Sequence, residues 1–302
     1  MQEILVDSYT NRLGEGHSAD DARSLYLDLM KRCLTDSIYI KDPLSHFVFY
    51  KNKPDASLWK RALITALERF LAAKKIQLVE AYSRRSFEEI SIARKGGTDW
   101  PPRAHTMIGL KRLDNLQFCI ESVIKDDVPG DFIETGVWRG GACIFMRAIL
   151  KAYGDNTRTV WLADSFAGLP PPNAADYPAD EGDLLYTHEV LAVSRDQVED
   201  NFRRYGLLDD HVKFLVGWFK DTLPTAPLSR LAVLRLDGDL YESTAQALNA
   251  LYDKLSPGGY VIVDDYQLAP CARAIQDFRN ARGINDEMHD IDGMGVFWRR
   301  SK

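Results

Sequence analysis

From about Gly130 onward the chain alternates short apolar runs, rich in β-branched and aromatic residues, with stretches of helical periodicity. The runs are DFIETGV (Asp131 to Val137), TVWLADS (Thr159 to Ser165), VKFLVGW (Val212 to Trp218), LAVLRLD (Leu231 to Asp237), GGYVIVDD (Gly258 to Asp265) and GVFWRR (Gly295 to Arg300). Between them lie GGACIFMRAILKAYG, SRDQVEDNFRRYG and YESTAQALNALYDKL. Strands that are apolar along their whole length are covered on both faces, and helices between successive strands supply that cover. The expected fold is therefore α/β, a doubly wound parallel sheet. Sheets of this kind take their ligands beyond the carboxyl ends of the strands.

The N-terminal part reads differently. ADDARSLYLDLMKRCLTD has apolar residues at helical spacing and predicts a helix from about Ala22 to Asp36, followed by an extended piece, SIYIKDP, stopped at Pro43. Ala56 to Phe87, rich in helix formers, predicts one long helix or two joined ones. Paired glycines and prolines in RKGGTDWPPRAHTM predict a loop, which sets a boundary between residues 1–95, a helical extension, and residues 96–302, the sheet domain.

With 302 residues, 45% of them hydrophobic and 27% charged, a full-sized core is available. A net charge of −6 and the lack of a Lys/Arg cluster argue against nucleic acid or acidic lipid as partners, which bind largely through phosphate neutralisation. No run is long enough to span a membrane. The opening MQEILVDSYTNRLGEG lacks a signal peptide's basic start and apolar centre, so a cytoplasmic chain is expected. Cys33, Cys119, Cys143 and Cys271 form no zinc-type spacing and read as reduced, packed thiols.

Four strand ends carry the chemistry. IETGVWRGG follows the first strand, where Gly136 and Gly140 allow a tight turn and a close backbone approach to a ligand. A glycine-bearing turn of this type also serves plain structural ends. Its spacing is ExGxxxG, and Glu134 would repel a pyrophosphate but attract a cation. Asp164 ends the second strand, where an acid accepts ribose hydroxyls; a helix cap at Asp164 or Ser165 is the alternative. A ligand with a ribose, a positive charge and no phosphate suits these residues, and S-adenosylmethionine is such a ligand.

Asp237, Asp264 and Asp265 end the fourth and fifth strands, which are neighbours in this class of sheet. Each alone could be a turn residue. Together they would repel unless a cation neutralised them, and a hard divalent ion such as Mg²⁺ does so with oxygen ligands. Asp239, two positions past Asp237, is the candidate general base for an acceptor hydroxyl.

The segments AHTMIGLKRLDNLQFC, IETGVWRGGACIFMRA, WLADSFAGLPPP, NFRRYGLLDD, GWFKDTLPTAP, LRLDGDLYEST and LSPGGYVIVDDY closely resemble the macrocin O-methyltransferase family, over about Trp100 to Asp265. The resemblance implies a Rossmann-like class I methyltransferase sheet using S-adenosylmethionine and Mg²⁺ to methylate a sugar hydroxyl of a macrolide- or aminocoumarin-type glycoside. It puts the metal on Asp237, Asp264 and Asp265 and the base on Asp239. It adds Arg139, Ser165, Gly217 and Trp218 to the cofactor positions, has Thr106 and Met107 close over the methionine end, and implies a homodimer whose N-terminal segment and mobile loops cover the site. The stretch from His46 to Ile92 looks longer than the family's usual connection, so the acceptor is not carried over. Pro170 to Val190, polar and proline-rich, reads as a lid; His188 within it and His105 are weak candidates for substrate contact. Two rivals stand beside this reading: a catechol-type O-methyltransferase of the same fold, and a non-catalytic binding protein that keeps the fold.

Overall fold

The computed structural model describes residues 22–39, 44–46, 58–74, 79–81, 86–99, 101 and 103–301. Its centre is a seven-stranded sheet of β3 (Asp131–Thr135), β4 (Val160–Asp164), β5 (Val212–Val216), β6 (Leu231–Leu236), β7 (Leu255–Val263), β8 (His289–Asp290) and β9 (Val296–Arg299). The order across it is β5-β4-β3-β6-β7-β9-β8. The strands from β5 to β7 are parallel and β9 is antiparallel to both its neighbours. The last strand thus departs from the all-parallel expectation. A short turn between β8 and β9 can only reverse the chain, and β9 enters the sheet against the grain.

Every residue of β6 is buried, as a central strand covered on both faces requires. On one face Phe132, Val160, Leu162, Val233 and Ile262 pack under α1 (Ala22–Leu34), α4 (Leu110–Lys125), α5 (Gly141–Ala152) and α6 (Arg195–Arg204). On the other, Ile133, Leu234, Leu236, Val261, Val263 and Trp298 pack under α8 (Tyr241–Leu251) and α9 (Ala269–Arg282). A one-turn helix, α7 (Phe219–Thr222), follows β5.

The first helix joins this core: Leu27, Met30 and Leu34 of α1 lie with the side chains of α4 and α5 in one cluster. Leu34 also accepts the His105 N–H at 2.8 Å. After α1, Ser37–Tyr39 is a 3₁₀ turn where extended chain was expected, and residues 40–43 lie outside the described set. Of the one long or two joined helices expected from Ala56 to Phe87, the described residues of that stretch form α2 (Leu58–Ala72), with residues 75–78 and 82–85 outside the described set. Further along, β2 (Val79–Ala81) pairs antiparallel with β1 (Leu44–His46), a long-range pairing that no local strand pattern announces. Then α3 (Phe87–Gly96) starts with a capping box, Ser86 and Glu89 each accepting the other's backbone N–H, and ends at Gly97 in the left-handed region. No helix among the described residues is long and apolar enough to cross a membrane.

Candidate active site

A cavity of about 670 Å³ opens at the carboxyl ends of β3, β4, β6 and β7. At its base the loops leaving three strands hold non-glycine residues at positive φ: Trp138 at 47°, Phe166 at 55° and Asp239 at 59°. Backbone held in that region has a cost, and its concentration around one cavity marks a site the surrounding structure shapes.

The β3–α5 turn is built around Gly136, at φ 88°; a Cβ there would lie 1.7 Å from the Asp237 carbonyl oxygen. Its N–H donates to Ala163 O at 2.8 Å. Asp164 stitches the neighbouring loops together, Oδ2 accepting from Val137 N at 2.7 Å and Oδ1 from Phe166 N at 2.7 Å. The helix cap weighed from the sequence is not formed, since no helix starts after β4; Asp164 instead holds loop N–H groups while lining the cavity. Burial raises its carboxyl above the usual range against the lowering effect of those N–H donors. Ser165 closes a local turn, donating to Gly168 O at 2.6 Å and accepting from Ala167 N at 3.0 Å. Gly217, at φ 138°, donates to Asp164 O at 2.9 Å, and Trp218 beside it is partly exposed on the cavity wall. Thr106 and Met107 also line the cavity.

Arg139 is the predicted position that does not face the cavity. Its Nη1 donates to Ala104 O at 2.7 Å and its guanidinium lies 4.3 Å from the Trp138 ring centroid, so it ties the segment before Thr106 to the turn. His105 has a partner after all: Nδ1 is 2.8 Å from the Tyr205 hydroxyl. Burial, with Arg139 and Arg204 nearby, brings its pKa down to about 4, so the ring is neutral at pH 7. His188 is exposed on the cavity rim. The segment carrying it is pinned at two places. Asp180 accepts the N–H groups of Tyr241 and Glu242 at the start of α8, at 2.7 and 3.0 Å, and Val190 O accepts the Trp138 indole N–H at 2.8 Å.

The acidic cluster assembles as the sequence suggested. Asp237, Asp264 and Asp265 each bring a carboxylate oxygen within 4.8 Å of the others. Asp239 N donates to Asp265 Oδ2 at 3.2 Å, while no donor reaches the Asp239 carboxylate among the described residues. Burial, with Asp237, Asp264 and Asp183 adding like charge, pushes Asp239 up to about 7. Burial and the neighbouring Asp239, Asp237 and Asp264 push Asp265 well above the usual carboxylate range.

Two arginines inside the cluster escaped the sequence reading. Arg235, on β6, bonds Asp237 Oδ2 at 2.6 Å and reaches Glu134 Oε1 and Asp264 Oδ1. Arg112, on α4, bonds Asp264 Oδ2 at 2.5 Å and approaches Asp292 at 3.1 Å. Glu134 is also the acceptor for the Cys143 thiol at 2.8 Å, and burial, partly offset by Arg235, raises it to about 7. A signal for Arg235 existed: a charge inside the apolar run LAVLRLD must be paired, and the two-residue period puts it on the face of Asp237.

The donor set fits a hard divalent cation. Carboxylates outnumber guanidiniums around the cluster, and Asp265 carries no arginine among the described residues. Convergent oxygen ligands with residual negative charge are what Mg²⁺ requires.

The model of the macrocin O-methyltransferase family matches residues 23–300. The 8-demethyl-8-(2,3-dimethoxy-alpha-L-rhamnosyl)-tetracenomycin-C 4'-O-methyltransferase of Streptomyces olivaceus is 52% identical over 283 residues, 93% of this chain and 95% of that protein. The mycinamicin III 3''-O-methyltransferase of Micromonospora griseorubida is 57% identical over 212 residues, 69% of this chain and 84% of that one. Among solved structures, the O-methyltransferase NovP superposes with a TM-score of 0.76 at 46% identity, covering 93% of this chain and 100% of that one.

Proposed function

The chain belongs to the macrocin O-methyltransferase family, and from that premise we propose that it moves the methyl group of S-adenosylmethionine to a sugar hydroxyl of a glycosylated natural product, with Mg²⁺ at the acidic cluster. The observation that carries this reading is the meeting of Asp237, Asp264 and Asp265 at the tips of β6 and β7, in the cavity that Glu134 and Asp164 also line.

Each residue then has a task. Glu134 offers negative charge to the cationic cofactor. Asp164, which lines the cavity at the tip of β4, offers its carboxylate to a ribose hydroxyl. Gly136 lets the turn lie close to the ligand, and Trp218 and Gly217 wall the adenine side. Thr106 and Met107 close the methionine end. Asp237, Asp264 and Asp265 would hold the cation, which when bound supplies Lewis acidity that makes a nearby hydroxyl easier to ionise. Asp239, whose carboxylate meets no competing donor among the described residues, takes the hydroxyl proton as the oxygen attacks the methyl carbon and the sulfur departs as S-adenosylhomocysteine. The pinned segment around His188 shields the transfer from water.

A panel of glycosylated acceptors incubated with S-adenosylmethionine and Mg²⁺ tests the reading. Methylation of a sugar hydroxyl is expected, with loss of turnover in EDTA and a drop of about 10²- to 10⁴-fold for Asp239→Asn. Full turnover in EDTA, or an Asp239→Asn variant as fast as wild type, would remove the acidic cluster from the reaction. We also read residues 1–95 as a cover and contact region of a homodimer, which the exposed apolar side chains of α2 support.

A further inference from the structure

Glu134, Arg235, Asp264, Arg112 and Asp292 form one row of alternating charge across the carboxyl edge of the sheet. Arg235 stands directly beside Glu134 in the β3–β6 register and beside Ile262 in the β6–β7 register, with Asp264 two residues further along. The β6 strand places Arg235 on the same side as Val233, away from Leu234 and Leu236, so its guanidinium runs beneath the cavity and is only 1% exposed. Its donors are divided. Nη1 serves both Glu134 and Asp237, and Nη2 serves Asp264. Among the described residues it is the one cation bonded to Glu134 and to Asp237. Burial alone would disfavour a charged Arg235, but Asp264, Glu134 and Asp237 outweigh it, so the fork stays ionised.

We propose that Arg235 is a positioning residue shared by the two halves of the site: it fixes Glu134 on the cofactor side and Asp237 and Asp264 on the cation side, so that each half feels a change in the other. The proposal rests on reading the acidic cluster as a cation site. Its physical basis is the planar guanidinium, whose donors point in fixed directions and reach three carboxylates at once, where the compact ammonium of lysine serves one well and the others poorly. A group that bonds both half-sites carries a coupling free energy between them, and such coupling is reciprocal.

The test uses Mn²⁺ as the cation probe, followed by electron paramagnetic resonance, and S-adenosylhomocysteine as the cofactor probe, followed by calorimetry, on the full chain. Asp265→Asn marks which Mn²⁺ signal belongs to the cluster. Arg235→Lys is expected to weaken both Mn²⁺ and S-adenosylhomocysteine by about fivefold or more while the protein still melts cooperatively. Glu134→Gln, which removes no atom from the cation cluster, is expected to weaken Mn²⁺ by about threefold or more, because Arg235 then presses its full charge on Asp237 and Asp264. A purely structural arginine lowers the melting temperature and leaves both affinities of the folded protein alone. A folded Arg235→Lys with either affinity within about twofold of wild type, or a Glu134→Gln variant that takes up Mn²⁺ as wild type does, overturns the proposal. Should Arg235→Lys not fold, Glu134→Gln decides. If wild type itself binds no Mn²⁺ at the cluster, the cation reading fails first, and this inference with it.

Discussion

Gly136 has room for a hydrogen and nothing larger. Its φ of 88° disfavours an L side chain, and an added Cβ would meet the Asp237 carbonyl oxygen at 1.7 Å. Gly136→Ala is therefore expected to cost about 3 kcal/mol or more in urea denaturation. It should also weaken S-adenosylhomocysteine binding, because the β3–α5 turn must move off the tip of β6. A variant of wild-type stability and affinity would mean the turn has slack that this geometry denies. The glycine, Glu134 and the aspartates were legible because a residue type at a strand end already implies a chemistry. Arg112 was not: its partner Asp264 lies 152 positions away, and nothing local predicts that pairing. Arg139 illustrates the opposite case. Its place in the loop was right, but the Trp138 ring and the Ala104 carbonyl decide where its guanidinium points.

At the scale of elements, α5 is fastened to the loop before β5 by Arg147, which is fully buried and donates to Asp209 through Nε at 3.1 Å and Nη2 at 2.6 Å, with Lys151 3.0 Å away. Burial would raise the Asp209 carboxyl, but the donors from Arg147 and Lys151 outweigh it and bring it down to about 2. A carboxylate whose pKa is lower folded than unfolded stabilises the fold above its unfolded value of about 3.9 and loses that contribution as pH falls toward the folded value. Asp209→Asn should accordingly lower stability at pH 7 by about 1–3 kcal/mol. The gap between the two melting curves should narrow below about pH 4. A gap that is constant with pH would show that the charge on Asp209 is not what holds α5. The elements themselves were legible in proportion to their periodicity. Helix α1 and strands β3 to β7 repeat long enough to be read, whereas β8 has two residues and β2 sits in a stretch of strong helix formers. β2 is settled by pairing with β1, far earlier in the chain, and β8 by β9 folding back on it across a short turn, so neither can be read from the pattern of its own few residues.

For the whole molecule the unanswered surface is that of α2. Trp59, Leu63, Leu67 and Phe70 recur at spacings of four, four and three, which places them on one face of the helix, and they are 65%, 62%, 44% and 60% exposed. Leu25 and Leu29 of α1 and Ile92 of α3 are also more than half exposed. Scattered apolar residues on a surface need no explanation, but a stripe of this kind along a helix is characteristic of a contact face. The acidic net charge offers no competing reason for it, since a chain at −6 gains nothing from solvating leucines. The homodimer reading therefore makes a specific demand: light scattering should give twice the chain mass for wild type. The double substitution Leu63→Glu and Leu67→Glu should shift that mass to the monomer by burying like charge opposite its own copy. Because the core and the acidic cluster lie elsewhere in the fold, circular dichroism and Mn²⁺ binding at the cluster should be preserved in the variant. A wild type that scatters as a monomer at every concentration, or a variant that stays dimeric, would place the contact elsewhere and leave the α2 stripe for another partner.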